Sequence, residues 1–144
     1  SESIADWEEV IALAPESRAS SQMQLARTRA MAEDHATAAS EAIRLAASGA
    51  AGEVFYQAAC VLALSTAAAE RDTKLDEKQR QALVAQYTHE AINALTNARD
   101  KGYFNDERHL QELNTETDFA AIRESDAFKE WLRKLIRVHD EETG

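Results

Sequence analysis

His89-Glu90 has the residue types that open a zinc-hydrolase motif, where two histidines one helical turn apart hold the metal and the glutamate activates water. Position 93 is Asn, so the second ligand is missing, and His89 is expected to face solvent. His35, His109 and His139 fall in a connection, a short helix and the C-terminal end, without a carboxylate or cysteine at ligand spacing. Glu116 and Asp118 have calcium-ligating oxygens, but the Asp-x-Asp-x-Asp-Gly loop that completes such a site is not there; helix capping accounts for both. Cys60 is the sole cysteine, which rules out an internal disulfide, and its apolar helical surroundings suit packing rather than reactivity. No grouping supplies a nucleophile, a base and an oxyanion partner. The expectation is a non-catalytic chain with no cofactor and no metal.

The elements carrying these residues follow from composition. Among 144 residues there are only four Gly and one Pro, against 44% hydrophobic residues rich in Ala and Leu. No stretch alternates with a period of two, so a single all-α domain over residues 1–144 is expected. The net charge of −10 is spread over both halves of the chain and repels phosphate backbones. Nucleic acid and direct membrane contact are therefore not expected. No run of about 18 apolar residues and no signal peptide is evident. The expectation is a cytoplasmic location, and the start at Ser1, directly in helical pattern, suggests a piece of a longer protein.

Ile4, Trp7, Val10 and Ile11 form one stripe of an opening helix that Pro15 closes. Ser20 or Ser21 is placed to cap a second helix reaching Ala32, and Glu33-Asp34-His35 connects it to a third over 36–47 that stops at Ser48-Gly49. A fourth helix runs over 52–70. Asp76 with Gln79 has the form of a capping box and opens a long fifth helix to Lys101, ended by Gly102. Its buried stripe is predicted to be Leu83 or Val84, Tyr87, Ala91, Ala94 or Leu95, and Ala98. Shorter pieces follow: a helix over 105–113, a turn capped by Thr115 with Asp118 through Ile122, and a last helix from Ser125 to Val138, with 140–144 frayed.

Gln22 and Phe55 stand about one repeat length apart, each heading a helix with a small-residue step, Leu25-Ala26 and Ala58-Ala59. Each is followed by a helix with small-x3-large spacing: Ala38, Ala42 and Leu45, then Ala91, Leu95 and Ala98. Small residues let helix backbones approach, and larger ones fill the flanking grooves. The pattern resembles the tetratricopeptide repeat, with Trp7 and Pro15 at the large and closing positions of a partial unit and Phe55-Tyr56 at an aromatic start. It departs in Gln22 and Arg29 where aromatics stand, in Ala50 where a proline closes, and in Ala at both glycine positions. The second unit is longer than the family's.

The chain from about Leu25 to Leu135 is also similar to the repeat segment that follows the catalytic domain of large bacterial serine/threonine protein kinases. Three stretches carry that likeness: Tyr56-Gln-Ala-Ala-Cys-Val-Leu-Ala-Leu64, Gly102-Tyr103, and Asp118-Phe-Ala-Ala-Ile-Arg-Glu-Ser-Asp-Ala-Phe128. No kinase motif is present.

The resemblance implies antiparallel helix hairpins stacked as a short right-handed solenoid: the second helix of a partial repeat (1–15), a full repeat (18–50), an elongated repeat (52–102) and capping helices (103–139). It implies a concave groove lined by Met23, Arg27 and Met31, then Glu53, Tyr56 and Cys60, with Arg27 available for a carboxylate. The competing expectation is that the long helices and the closing segment fill this groove. Phe119, Ile122, Phe128, Trp131, Leu132 and Leu135 give that segment a large apolar face to cover the last repeat. The implied function is a protein-interaction or scaffolding module, the regulatory segment of a kinase-associated signalling protein, binding a protein or peptide. The alternative is an architectural domain that dimerises through the unpartnered face of the opening helix.

Overall fold

Alanine sets how closely these helices approach. The computed structural model describes residues 15–31, 34–47 and 51–143, and all regular structure among them is helical. The helices are α1 (Pro15–Met31), α2 (His35–Ala46), α3 (Gly52–Glu70), α4 (Glu77–Asp100), α5 (Glu107–Thr115), α6 (Ala120–Arg123) and α7 (Asp126–Thr143). Single 3-10 turns lie at Tyr103–Asn105 and Thr117–Phe119. The opening helix over 4–13, with the dimer edge expected on it, and the Ser48-Gly49 stop lie outside the described residues.

α1 packs on α2, α2 on α3 and α3 on α4, and α1 also packs on α3. Ala26, Ala38, Ala42, Ala58, Ala59, Ala63, Ala91 and Ala98 have no exposed surface, so the four backbones meet through methyl groups. α3 is buried on nearly every face, with only its ends, Glu53 and Glu70, exposed. Ser65 and Thr66 lie in this core because their hydroxyls donate back to the carbonyls of Val61 and Leu62, at 2.9 and 3.0 Å. α3 is also the one described helix long and apolar enough to cross a membrane, yet 67% of that window is buried in the fold, as in the core helix of a bundle.

The long helix follows the predicted pattern. Asp76 accepts from the Gln79 backbone N–H at 2.7 Å, and the Gln79 side chain accepts in return from the Asp76 N–H at 3.0 Å. Tyr87, Ala91, Ala94, Leu95 and Ala98 are buried, and His89 is exposed. Gly102 ends the helix in the left-handed conformation at φ 81°, which L side chains rarely adopt. At the same, open end of the α3–α4 hairpin, a Cβ on Gly52 would stand 3.0 Å from the Tyr103 Cβ, so glycine lets the turn after α4 sit against the start of α3.

Three boundaries differ from those expected. α1 starts at Pro15, so Ser20 and Ser21, expected as caps, lie inside it. Proline fits the first helical position because its missing N–H would have no intrahelical partner, and an internal serine costs only roughly half a kcal/mol. The helix after Gly102 is shifted to Glu107–Thr115, because Asp106 caps it by accepting from the Arg108 N–H at 2.9 Å. α7 continues to Thr143, with neither Gly nor Pro between Asp126 and that point to stop it.

His35 is the larger correction. It is the first residue of α2, and it is buried rather than placed in an open connection. Its Nε2 lies 2.8 Å from the Asp72 carboxylate and its Nδ1 2.9 Å from the Tyr87 hydroxyl. In the neutral ring the carboxylate selects the Nε2–H tautomer, so Nδ1 accepts from Tyr87. The histidine, followed by the Lys74 backbone N–H, holds the Asp72 carboxyl below its ordinary range. Burial pushes the Tyr87 hydroxyl up. One imidazole thus ties the start of α2, the α3–α4 connection and the middle of α4. Replacing it strands a buried hydroxyl: His35→Ala should cost roughly 2–3 kcal/mol in urea unfolding, and Tyr87→Phe about 1 kcal/mol, with the fold unchanged by circular dichroism.

Candidate functional site

A cavity of about 350 Å³ opens between α1, α3 and the segment after α4. Met23 and Arg27 reach it from α1, Glu53, Tyr56 and Cys60 from α3, Tyr103 from the turn that Gly102 makes, and Glu116 and Asp118 from the closing segment. Five of the six expected groove residues therefore share one cavity. Met31, the sixth, does not line the cavity; it lies at the end of α1 beside Arg27 and is 59% exposed. Met23, Tyr56 and Cys60 are buried and form its floor and inner wall, while Glu53 and the part-exposed Arg27 stand at its open side.

Arg27 does meet a carboxylate, and it is the chain's own. Its Nε donates to Asp118 Oδ2 at 2.8 Å and its Nη2 to Oδ1 at 2.9 Å, a two-pronged pair across 91 residues. The third nitrogen, Nη1, points at the Met31 sulfur at 3.4 Å. Asp118 raises the Arg27 pKa further, chiefly through these hydrogen bonds. Of the two acids expected to cap, Glu116 does so, its side chain accepting from the Asp118 backbone N–H at 3.2 Å, while Thr115, the expected cap of this turn, is the last residue of α5. Arg123 braces the turn by donating to the carbonyls of Glu116 and Leu113, at 2.5 and 3.4 Å.

Aromatic rings fix the rest of the wall. Tyr56 stacks on Tyr103 at 5.0 Å and meets Phe119 edge-on at 5.5 Å, while Tyr103 lies flat against His109 at 3.9 Å. The Tyr56 hydroxyl is buried and no protein group hydrogen-bonds it. Burial pushes the Tyr56, Tyr103 and Cys60 pKa values well up, and neighbouring carboxylates push the same way. A thiol so placed is protonated at neutral pH and does not act as a nucleophile.

His89 borders a wider groove of about 870 Å³, formed by Arg80, Val84, Ala85 and Ile92 of α4 with Ser125 and Ala127 at the start of α7. Among the described residues, no group of three His, Cys, Asp or Glu is placed to hold a metal ion. No protein-family model, curated protein or solved structure matches the chain.

Sequence patterning could not pair Arg27 with Asp118, because no periodicity links residues so far apart. The available signal was an acid placed directly before the short apolar run Phe119-Ala-Ala-Ile122. Arg27→Ala leaves a buried carboxylate without its cation and should destabilise the fold by roughly 2 kcal/mol. In a double-mutant cycle with Asp118→Ala, the coupling should be about 1–2 kcal/mol, below the range of fully buried pairs because the Arg27 side chain is 37% exposed.

Proposed function

We propose that this chain is a non-catalytic interaction module of tetratricopeptide-like build, the regulatory or scaffolding segment of a multidomain, kinase-associated bacterial signalling protein working in the cytoplasm. Its partner is a protein or peptide. The observation that carries the proposal is the convergence of Met23, Arg27, Glu53, Tyr56 and Cys60 on one cavity. These residues come from the first helices of two successive hairpins, α1 and α3, which pack side by side. A stacked array of hairpins puts one partner-facing surface on its first helices.

The architectural alternative draws on the closing segment, because Asp118 already occupies Arg27. In that case the domain spaces or joins others and needs no ligand. Selection from a random peptide library against the immobilised chain separates the two readings. The interaction module predicts an enriched sequence family whose binding shifts amide resonances around Tyr56 and Tyr103. Absence of any enriched binder would leave the architectural reading standing.

A further inference from the structure

We infer that the cavity between α1, α3 and the closing segment is a subsite for one basic side chain, Arg or Lys, of a partner polypeptide. This rests on the interaction-module reading and names the chemistry of its ligand.

The groove residues of the sequence point to an anion, through Arg27. The geometry reverses that sign. Both Arg27–Asp118 hydrogen bonds are intramolecular, so the guanidinium and this carboxylate cancel and lock each other. What remains on the cavity wall is Glu53 and Glu116. Glu53 is exposed, at the start of α3. Glu116 spends one oxygen on the Asp118 N–H, which leaves the other to accept from a ligand. Glu112 lies close enough to act electrostatically on both Tyr56 and Tyr103, so the surrounding field is negative as well.

A cluster of carboxylates alone does not make a site; the Tyr56 hydroxyl adds the second, independent observation. Tyr56 is 5% exposed, it forms part of this wall, and its hydroxyl is buried with no protein partner. Buried hydroxyls are nearly always hydrogen-bonded, and this one leaves both its O–H and its lone pairs unused, so a lone pair is free to accept from an N–H donor that a ligand brings. An ammonium or guanidinium supplies several such donors and also neutralises the two glutamates. The stack of Tyr56, Tyr103 and His109 holds the hydroxyl in place before any ligand arrives. At about 350 Å³ the cavity is at the small end of ligand pockets (roughly 300–1,000 Å³), a size for one side chain rather than a helix. The net charge of −10 draws cations toward the chain at long range.

The test uses three pentapeptides with blocked ends, identical except for a central arginine, citrulline or glutamate, titrated into the isotope-labelled chain. The arginine peptide should shift amides around residues 53–60 and 116–119. Citrulline, of the same shape without the charge, should bind about tenfold more weakly, and the glutamate peptide should leave these amides unmoved. Tyr56→Phe and Glu53→Gln should each weaken the arginine peptide several-fold. Tyr56→Phe should meanwhile leave the urea midpoint equal or higher, because it removes an unpaired hydroxyl; a purely structural Tyr56 would lower the midpoint and leave affinity alone. Equal binding of citrulline or glutamate, shifts confined elsewhere, or no response to the arginine peptide would overturn the subsite. Library binders that shift the cavity amides without a basic side chain would defeat this inference alone. A library that yields no binder at all defeats the interaction module with it.

Discussion

A helix that is apolar on every side must be wrapped on every side, and α3 is that helix. Between Phe55 and Ala69 it carries no charged side chain, and in its second half Ser65 and Thr66 satisfy their hydroxyls within the helix itself. Two neighbouring helices cover less than its whole circumference. α2 and α4 take two sides, α1 a third, and the Thr117–Phe119 turn with α6 takes the remainder. The closing segment is thus part of the core of the domain. Phe119 and Ile122 have no exposed surface.

This constraint also shapes the cavity. A groove left open along α1 and α3 would expose Tyr56, Cys60 and Val61 to water, at roughly 25 cal/mol for each Å² of apolar surface. Seating the closing segment there buries them and brings Asp118 onto Arg27. The cation that an open groove would offer to a ligand is consumed in holding the lid down. The acidic residues at the edge of that lid then determine the charge of what remains. Packing therefore decides the polarity of the site, and it does so against the sign of its most conspicuous residue.

Local signals in the sequence carried much of the fold. The Asp76–Gln79 capping box, the left-handed Gly102 and the Tyr87–Ala98 stripe each depend on residues within a turn or two of one another, and all three are realised. Ser20 and Ser21 misled as caps because serine is also tolerated inside a helix. His35 looked unpartnered because its partners, Asp72 and Tyr87, lie 37 and 52 residues away. The pairing of Arg27 with Asp118 was hidden for the same reason. Cys60 and Tyr56 could be recognised as packing residues from their apolar neighbours. The unpaired state of the Tyr56 hydroxyl could not, since it depends on where every nearby donor and acceptor ends up.

The central claim is that the closing segment and α3 form one cooperative unit, with the segment seated over the concave face in the native state. Native-state hydrogen exchange on Phe119→Ala tests it most directly. Amides of α3 from Tyr56 to Ala63 should lose protection together with those of residues 117–123, by the same factor, while the far end of the α3–α4 hairpin changes less. Undiminished protection of α3, with exchange gained only in the closing segment, would mean that the segment is a detachable flap, and would contradict the account.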